Sequence, residues 1–413
     1  MLNPKTNERE LAYIVTIDEI RPIEGYDRVE YARVGGWWVI VKKDQFKVDD
    51  PAIYIEVDSK VPAVEPFMFL ESKKFRVKTL KMCKVISQGL LMHPNDFGWE
   101  TLFDECAGQW EIIDSTGSSF KVGDFVSNML QITYYEPEDN KRKGKGPDKY
   151  AKMAQRRPDI FKKKWARWMM RREWGRRIMF KLFGKKKDKR TWPAWVTKTD
   201  EERCQNMPFL FPGNDTVWIA TEKIDGSSTT FTIKRGNKGK NNFYVCSRNV
   251  MFDTPEKAER CFYDTNIYLE MANKYNVEEI MNKMLEVHKE VDFITIQGET
   301  YGESVQKRTY GLEGRDFMAF NLIFGYEPQP GVYTTERCNP YEMTKILKDY
   351  NIPTVPIVGE IRLPDTCDEL LEYAGAAASE IDGGMREGVV FRTFDGAGSF
   401  KAVSNEFLLK YHS

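Results

Sequence analysis

At 413 residues and 48.2 kDa, with 41% hydrophobic and 13% aromatic side chains, the chain can fill two or three cores and is not globally disordered. No run of about 18 apolar residues is present to cross a membrane, residues 1–10 lack the apolar core of a signal peptide, and seven scattered cysteines without a CxxC pair, beside three histidines, argue against a zinc site or a disulfide framework. The net charge of zero hides a split: residues 141–190 carry 22 basic and 4 acidic side chains while the remainder is acidic by the same margin, so an intracellular protein with an anionic partner for that segment is expected.

In chain order, the first hundred residues read as short strands. AYIVTIDEI, RVEYARV, WWVIVKK, AIYIEV and FRVKTLKMCKVIS are rich in β-branched and aromatic residues with partial alternation, and EGYD, KVDDP and QGLLMHPND supply turns between them. Strands of this length without long helices predict a small barrel of the oligonucleotide-binding (OB) kind over residues 1–133, with 108–133 adding strands or a loop. From residue 134 the composition shifts. EPEDNKRKGKGPDK reads as a solvated linker. The following run mixes Arg and Lys with Trp, Met and Phe, and Phe161, Trp165, Trp168 and Met169 fall at i, i+4, i+7 and i+8, the spacing of a helix with an apolar stripe. Residues 134–190 are therefore expected to form a basic helical connector. It can pack on an enzyme core, hold nucleic acid with cations on phosphates and rings on bases, or lie on a membrane surface.

Residues 191–413 alternate strand-like runs (DTVWIATEKI, STTFTIKR, FITIQGET, DFMAFNLIFG, EGVVFRTF, SFKAVS) with helical ones at 255–275, 278–290, 341–350 and 366–379. Strands beside strands, with helices between groups of them, predict an α+β layout over a doubly wound parallel sheet.

The chemistry centres on residues 222–228, EKIDGSS, where Lys223 ends a predicted strand ahead of a turn through Asp225 and Gly226. A lysine nucleophile must be neutral to attack phosphorus, and at its reference pKa only about one in 2,500 is neutral at pH 7. Burial or nearby cations are expected to lower that pKa. By itself KxDG reads more readily as a surface turn. Other pieces follow it in order: Arg248 in an SRN triplet after a strand, Glu299 at the end of FITIQGET, Phe320 on a buried strand as either core or a base-stacking platform, Glu387 at the start of EGVVFR, and Lys401 in SFKAVS.

In this order the set resembles the six collinear motifs of covalent nucleotidyltransferases, the superfamily of DNA ligases, RNA ligases and mRNA capping enzymes. KTDEERCQN ahead of the lysine, and GETYGESVQKRTYG with Gln306 and Tyr310, are similar to RNA ligases of the RNA-editing and phage nick-sealing type. IRPIEGYDRVEYARVGGWWVIVKKDQF and RVKTLKMCKVISQGL resemble the OB module that precedes the ligase domain in one group of bacterial and protist RNA ligases. Only twelve residues follow Lys401, so no appended C-terminal domain is expected, unlike capping enzymes and most DNA ligases.

The resemblance implies an α+β chain with an N-terminal OB-like β-barrel, a basic connector and a C-terminal nucleotidyltransferase domain of antiparallel sheets with flanking helices. It implies ATP and Mg²⁺ or Mn²⁺ as cofactors, and Lys223 as the residue that carries AMP. Glu222, Asp225, Gly226, Arg248, Glu299, Phe320, Glu387 and Lys401 would bind the nucleotide, with Glu299 and Glu387 also on the metal. The implied partner is RNA, or an RNA-containing duplex with a nick, bound by a monomer. A GTP-dependent capping-type or DNA-sealing enzyme, and a nucleic-acid-binding protein with a relic ligase domain, are the alternatives. Ser228 stands where phage nick-sealing enzymes carry Asn, Asn321 where they carry Asp, and Val403 where several relatives have a second lysine; whether Lys410 takes that role is left open by the sequence. KKKDKR at 185–190 reads equally as a phosphate-binding run or a nuclear signal.

Overall fold

The computed structural model describes residues 10–135, 163–170, 192–198, 200–213, 215–236, 240–252 and 265–411, with a few single positions between them. The N-terminal part runs through β1 (Ala12–Thr16), β2 (Glu19–Ile23), β3 (Tyr26–Val34), β4 (Trp37–Lys42), β5 (Pro51–Ile55), β6 (Ser59–Lys60), β7 (Leu80–Met82), β8 (Val85–Ser87), β9 (Leu90–Met92), β10 (Glu100–Asp104), β11 (Gln109–Ile113), β12 (Ser119–Lys121) and β13 (Thr133–Tyr134).

Two three-stranded antiparallel sheets, β1-β5-β9 and β2-β3-β4, make its body. β5 is buried along its whole length because its two faces serve two cores. Ile53 and Ile55 point into one with Ile14, Phe67 and Trp99, while Ala52 and Tyr54 point into the other with Trp37 and Val39. A two-residue side-chain period splits the strand between them, which is why alternation in the sequence was only partial.

Two sequence expectations are corrected here. The run 75–87, expected as one strand, folds back on itself as β7 and β8, paired Met82 to Val85 across Cys83-Lys84. Both turn residues have left-handed φ, 55° and 63°, the geometry of a tight hairpin that is usually announced by Asn or Gly. The run 88–96, expected as a turn, contains β9, which completes a sheet through pairing that local sequence does not encode.

In the connector, the helix Lys164–Met170 leaves Trp165 and Trp168 about half exposed, so those two rings do not form a buried stripe, while Ala166 between them is buried. Arg172 lies 4.0 Å over the Trp168 ring. Phe161 and most of the linker and basic run lie outside the described residues.

The C-terminal part adds β14 (Glu202–Arg203), β15 (Val217–Lys223), β16 (Ser227–Lys234), β17 (Asn242–Ser247), β18 (Phe293–Gly302), β19 (Arg315–Gln329), β20 (Val332–Arg337), β21 (Ile357–Arg362), β22 (Gly388–Arg392) and β23 (Ser399–Val403). They form two five-stranded sheets, β14-β23-β22-β15-β21 and β17-β16-β18-β19-β20, antiparallel except for the two-residue pairing of β14 with β23. In the first sheet Val389, Phe391 and Phe400 pack on Leu370 and Leu371 of the helix Cys367–Ala376. In the second, Phe231, Ile294 and Ile296 pack with Met271, Met281 and Met284 from the helices Ile267–Lys274 and Val277–Val287. Each such side chain stabilises the fold by about 1.5–3 kcal/mol.

The expected helix at 255–275 is seen over Ile267–Lys274, and its first part lies outside the described residues. β20, β21 and the helix Asn405–Tyr411 are additional elements. The two parts meet where the Trp37 indole N–H donates to Asn206 Oδ1 at 2.9 Å and the Lys81 ammonium to the Leu409 carbonyl at 2.8 Å.

Candidate active site

β15 ends one sheet at Lys223 and β16 opens the other at Ser227, so residues 224–226 carry the chain across the junction of the two sheets. The crossing is held at three points. The Asp225 backbone N–H donates to the Tyr310 hydroxyl at 2.7 Å, the Gln306 amide donates to the Gly226 carbonyl at 3.0 Å, and Ile224 is buried against Tyr301, Tyr310 and Val355. A Cβ on Gly226 would sit 2.3 Å from the Thr300 carbonyl oxygen and 2.8 Å from Glu299 Cγ. Gly226 is thus required by close backbone approach. Gly226→Ala is expected to push Glu299 and the loop apart and to lower nucleotide attachment by about tenfold or more, measured as the initial rate of covalent labelling.

A cavity of about 370 Å³ opens at this junction. Lys223 lies on it with a quarter of its side chain exposed, and its Nζ donates to both Glu387 oxygens, at 2.7 and 2.8 Å. The pairing follows from register, because Lys223 stands opposite Gly388 and Glu387 immediately precedes that glycine. Glu299 arrives from β18, opposite Ser228. Burial disfavours the Lys223 ammonium, but Glu387, Glu299 and Asp225 outweigh it, and its pKa lies above that of a free lysine. This corrects the expected lowering: the neighbours that weigh most on the amine are acids. Burial pushes the Glu299 carboxyl up to about 8, with the Lys223 charge pulling against it and Glu387 and Asp225 adding to it.

The environment expected at Lys223 is found instead at Lys401. Burial pulls its pKa down against the pull of Asp200, and Arg203 and Lys223 add to the lowering. On this wall Asp200 accepts from Arg248 Nη2 at 2.8 Å and from Lys401 Nζ at 3.3 Å, tying two of the expected residues together. Beneath them the buried Arg392 donates to Glu201 at 3.0 Å and to the Thr221 hydroxyl at 3.3 Å.

Phe320 reaches the cavity through a bulge. Gln297 faces Asn321 and Gly298 faces Ala319, which leaves Phe320 as the extra residue of β19. A bulge re-aims a side chain, and Phe320 lies half-buried on the apolar side with Val355 and Val390. Glu222 lines the cavity while its buried carboxylate is tied back, accepting from the Ser379 hydroxyl and the Glu380 backbone N–H; burial raises its pKa.

Every site residue picked from the sequence therefore lines the cavity except Glu387, which touches it through Lys223. Lys410, on the last helix, lies over Tyr411 and outside the lining. Ser228 is in the wall, and Asn321 is buried, donating to Gln297 at 3.1 Å. The reading missed Asp200, Glu201 and Arg392. Asp200 and Glu201 sat inside the quoted lead-in KTDEERCQN, and only their contacts with Arg248, Lys401 and Arg392 single them out. Among the described residues no group of three or more His, Cys, Asp or Glu is arranged to hold a metal ion. Glu299 and Glu387, flanking one ammonium, offer hard oxygen donors that suit a cation keeping several of its waters.

Comparison with known proteins follows the same division. Residues 216–412 match the RNA ligase family model, and residues 11–94 match an OB-fold domain model. No curated protein matches the chain significantly. Solved structures of a Naegleria gruberi RNA ligase are similar over nearly the whole length. The form with pyrophosphate has a TM-score of 0.64 at 26% identity, covering 98% of this chain and 99% of that one. A lysine-to-alanine variant with ATP and Mn gives 0.64 at 26%, with 98% and 99% covered. A lysine-to-methionine variant with AMP and Mn gives 0.65 at 26%, again with 98% and 99% covered. Residues 216–412 are thus an RNA ligase domain, with an OB-fold domain ahead of it at residues 11–94.

Proposed function

We propose that this RNA ligase is ATP-dependent and joins 3′-hydroxyl to 5′-phosphate ends, at nicks in RNA-containing duplexes, through AMP carried on Lys223. The observation that carries the reading is Lys223 on a cavity between two sheets, bonded to Glu387, with Glu299, Arg248 and Lys401 also in the lining. The Naegleria structures with ATP, AMP and pyrophosphate support it, since these are the molecules such a reaction consumes, carries and releases.

Lys223 Nζ forms a bond to the α-phosphorus of ATP while the bond to the β-phosphate breaks and pyrophosphate leaves. Its proton must go first, and Glu387, at 2.7 Å, is the group positioned to take it. Lys401 and Arg248 face the phosphates, and Phe320 with Val355 and Val390 forms the slot for the adenine. Asp225 and Gly226 shape the loop beneath the nucleotide, and Glu222 anchors the strand beside it. An RNA 5′-phosphate then takes the AMP from Lys223, and a 3′-hydroxyl attacks that end and expels AMP. Glu299 and Glu387 would hold Mg²⁺ or Mn²⁺, which supplies positive charge for the triphosphate.

The domain division at 1–133, 134–190 and 191–413 goes with this reading: an OB module and a basic connector to grip the duplex, and a nucleotidyltransferase domain to seal it in a monomer. The reading is tested by sealing a nicked duplex with an RNA 3′-hydroxyl. Joining is expected with ATP and a divalent cation, not with GTP or with excess chelator, and binding of the duplex should weaken steadily with salt. Joining only with GTP, or binding that ignores salt, would overturn it.

A further inference from the structure

The cavity at Lys223 shares a wall with a second cleft that none of these roles uses. Its volume is about 350 Å³, near the lower end of small-molecule sites (about 300–1,000 Å³). The N-terminal module forms one side and the ligase domain the other, and Asp200, Ser228 and Arg248 line both spaces.

The N-terminal side is a stack fixed by polar contacts. The Tyr135 backbone N–H donates to the Asp58 carbonyl at 2.7 Å, and Arg76 Nη2 donates to the Asp58 carboxylate at 2.8 Å. That holds the Arg76 guanidinium 3.8 Å from the centre of the Tyr135 ring. On the ligase side the Trp192 indole N–H donates to the Val196 carbonyl at 2.7 Å, and Lys198 Nζ lies 5.4 Å from the Trp192 ring. Lys198 donates to the exposed Asn249 side chain at 3.1 Å, and among the described residues it forms no ion pair. Rings and guanidinium planes are what unstacked RNA bases stack on, and an ammonium without a carboxylate partner suits a phosphate.

We infer that this cleft seats the 5′-terminal nucleotide of the strand that receives AMP. Its phosphate lies toward Lys198, and its base, freed from the stack, rests against Trp192 and the Arg76–Tyr135 pair. The inference rests on the ligase reading above and names the substrate end that reading leaves unplaced. The shared wall brings that phosphate to the cavity where AMP would be carried.

The test is fluorescence anisotropy with a short single-stranded RNA bearing a 5′-phosphate and its 5′-hydroxyl twin. Tyr135→Ala and Trp192→Ala are expected to weaken binding of both RNAs about tenfold, the loss of one stacking platform. Tyr135→Phe, which keeps the ring and controls for folding, should bind like the wild type. Lys198→Gln should erase the preference for the 5′-phosphate. Wild-type affinity in both alanine variants, or a phosphate preference that survives Lys198→Gln, would overturn the assignment. So would an equal loss of inorganic pyrophosphate binding in Tyr135→Ala, which would make the cleft a leaving-group pocket. Wild-type protein is labelled with ATP alongside: absence of label would sink the ligase reading, whereas the RNA comparison judges the cleft by itself.

Discussion

Lys223→Met is expected to lower covalent labelling by ATP about a thousandfold or more while the fold is kept. Methionine preserves the length of the side chain and removes the amine, so no nitrogen–phosphorus bond can form at this position. The cavity offers one competitor. Lys401 is the lysine whose pKa is lowered, and by ease of deprotonation alone it would be the better nucleophile. Position argues the other way: Lys401 lies on β23 with its ammonium held by Asp200 at 3.3 Å, which also holds Arg248. Lys223 heads the loop between the sheets, beside two carboxylates able to take its proton and hold a cation. Removing the ammonium leaves Glu387, only 7% exposed, without its partner. That costs about 1–3 kcal/mol, so the double variant Lys223→Met with Glu387→Gln serves as the folding control, checked by thermal melting.

Lys401→Met is expected to slow labelling about 10²–10³-fold without abolishing it, the usual effect of removing one preorganised charge from a transition state. Burial makes that charge effective, because an ammonium shielded from water interacts more strongly with a developing phosphate charge than an exposed one does. Its partner Asp200 also holds Arg248. Asp200→Asn should therefore act through both cations and, unlike Lys401→Met, should weaken nucleotide affinity as well as rate. Single-turnover labelling over a range of ATP concentrations separates the two effects.

What the sequence discloses and what it hides differ for physical reasons. Lys223 and Glu387 were legible because each lies at or beside the end of an apolar strand, where a sheet presents side chains to a cleft, whereas Glu299 and Phe320 lie inside β18 and β19 and were legible only from the order of the motifs. The Cys83-Lys84 hairpin was not legible, since neither residue advertises a left-handed φ and only the pairing of β7 with β8 enforces it. Glu201 and Arg392 were invisible because a buried ion pair between residues so far apart exists only once β22 and the segment before β14 are neighbours. The direction of the Lys223 pKa was misjudged for a related reason. Burial could be foreseen from a strand end, but which charges reach the amine depends on the register that sets Gly388 opposite Lys223.

The central claim, that Lys223 carries the nucleotide, is tested most directly by incubating wild type, Lys223→Met and Lys401→Met with α-labelled ATP and a divalent cation and resolving them on a denaturing gel. Strong acid-labile label on the wild type, weak label on Lys401→Met and none on Lys223→Met is the predicted result. Label that persists on Lys223→Met and vanishes from Lys401→Met would contradict it and move the nucleophile to the opposite wall.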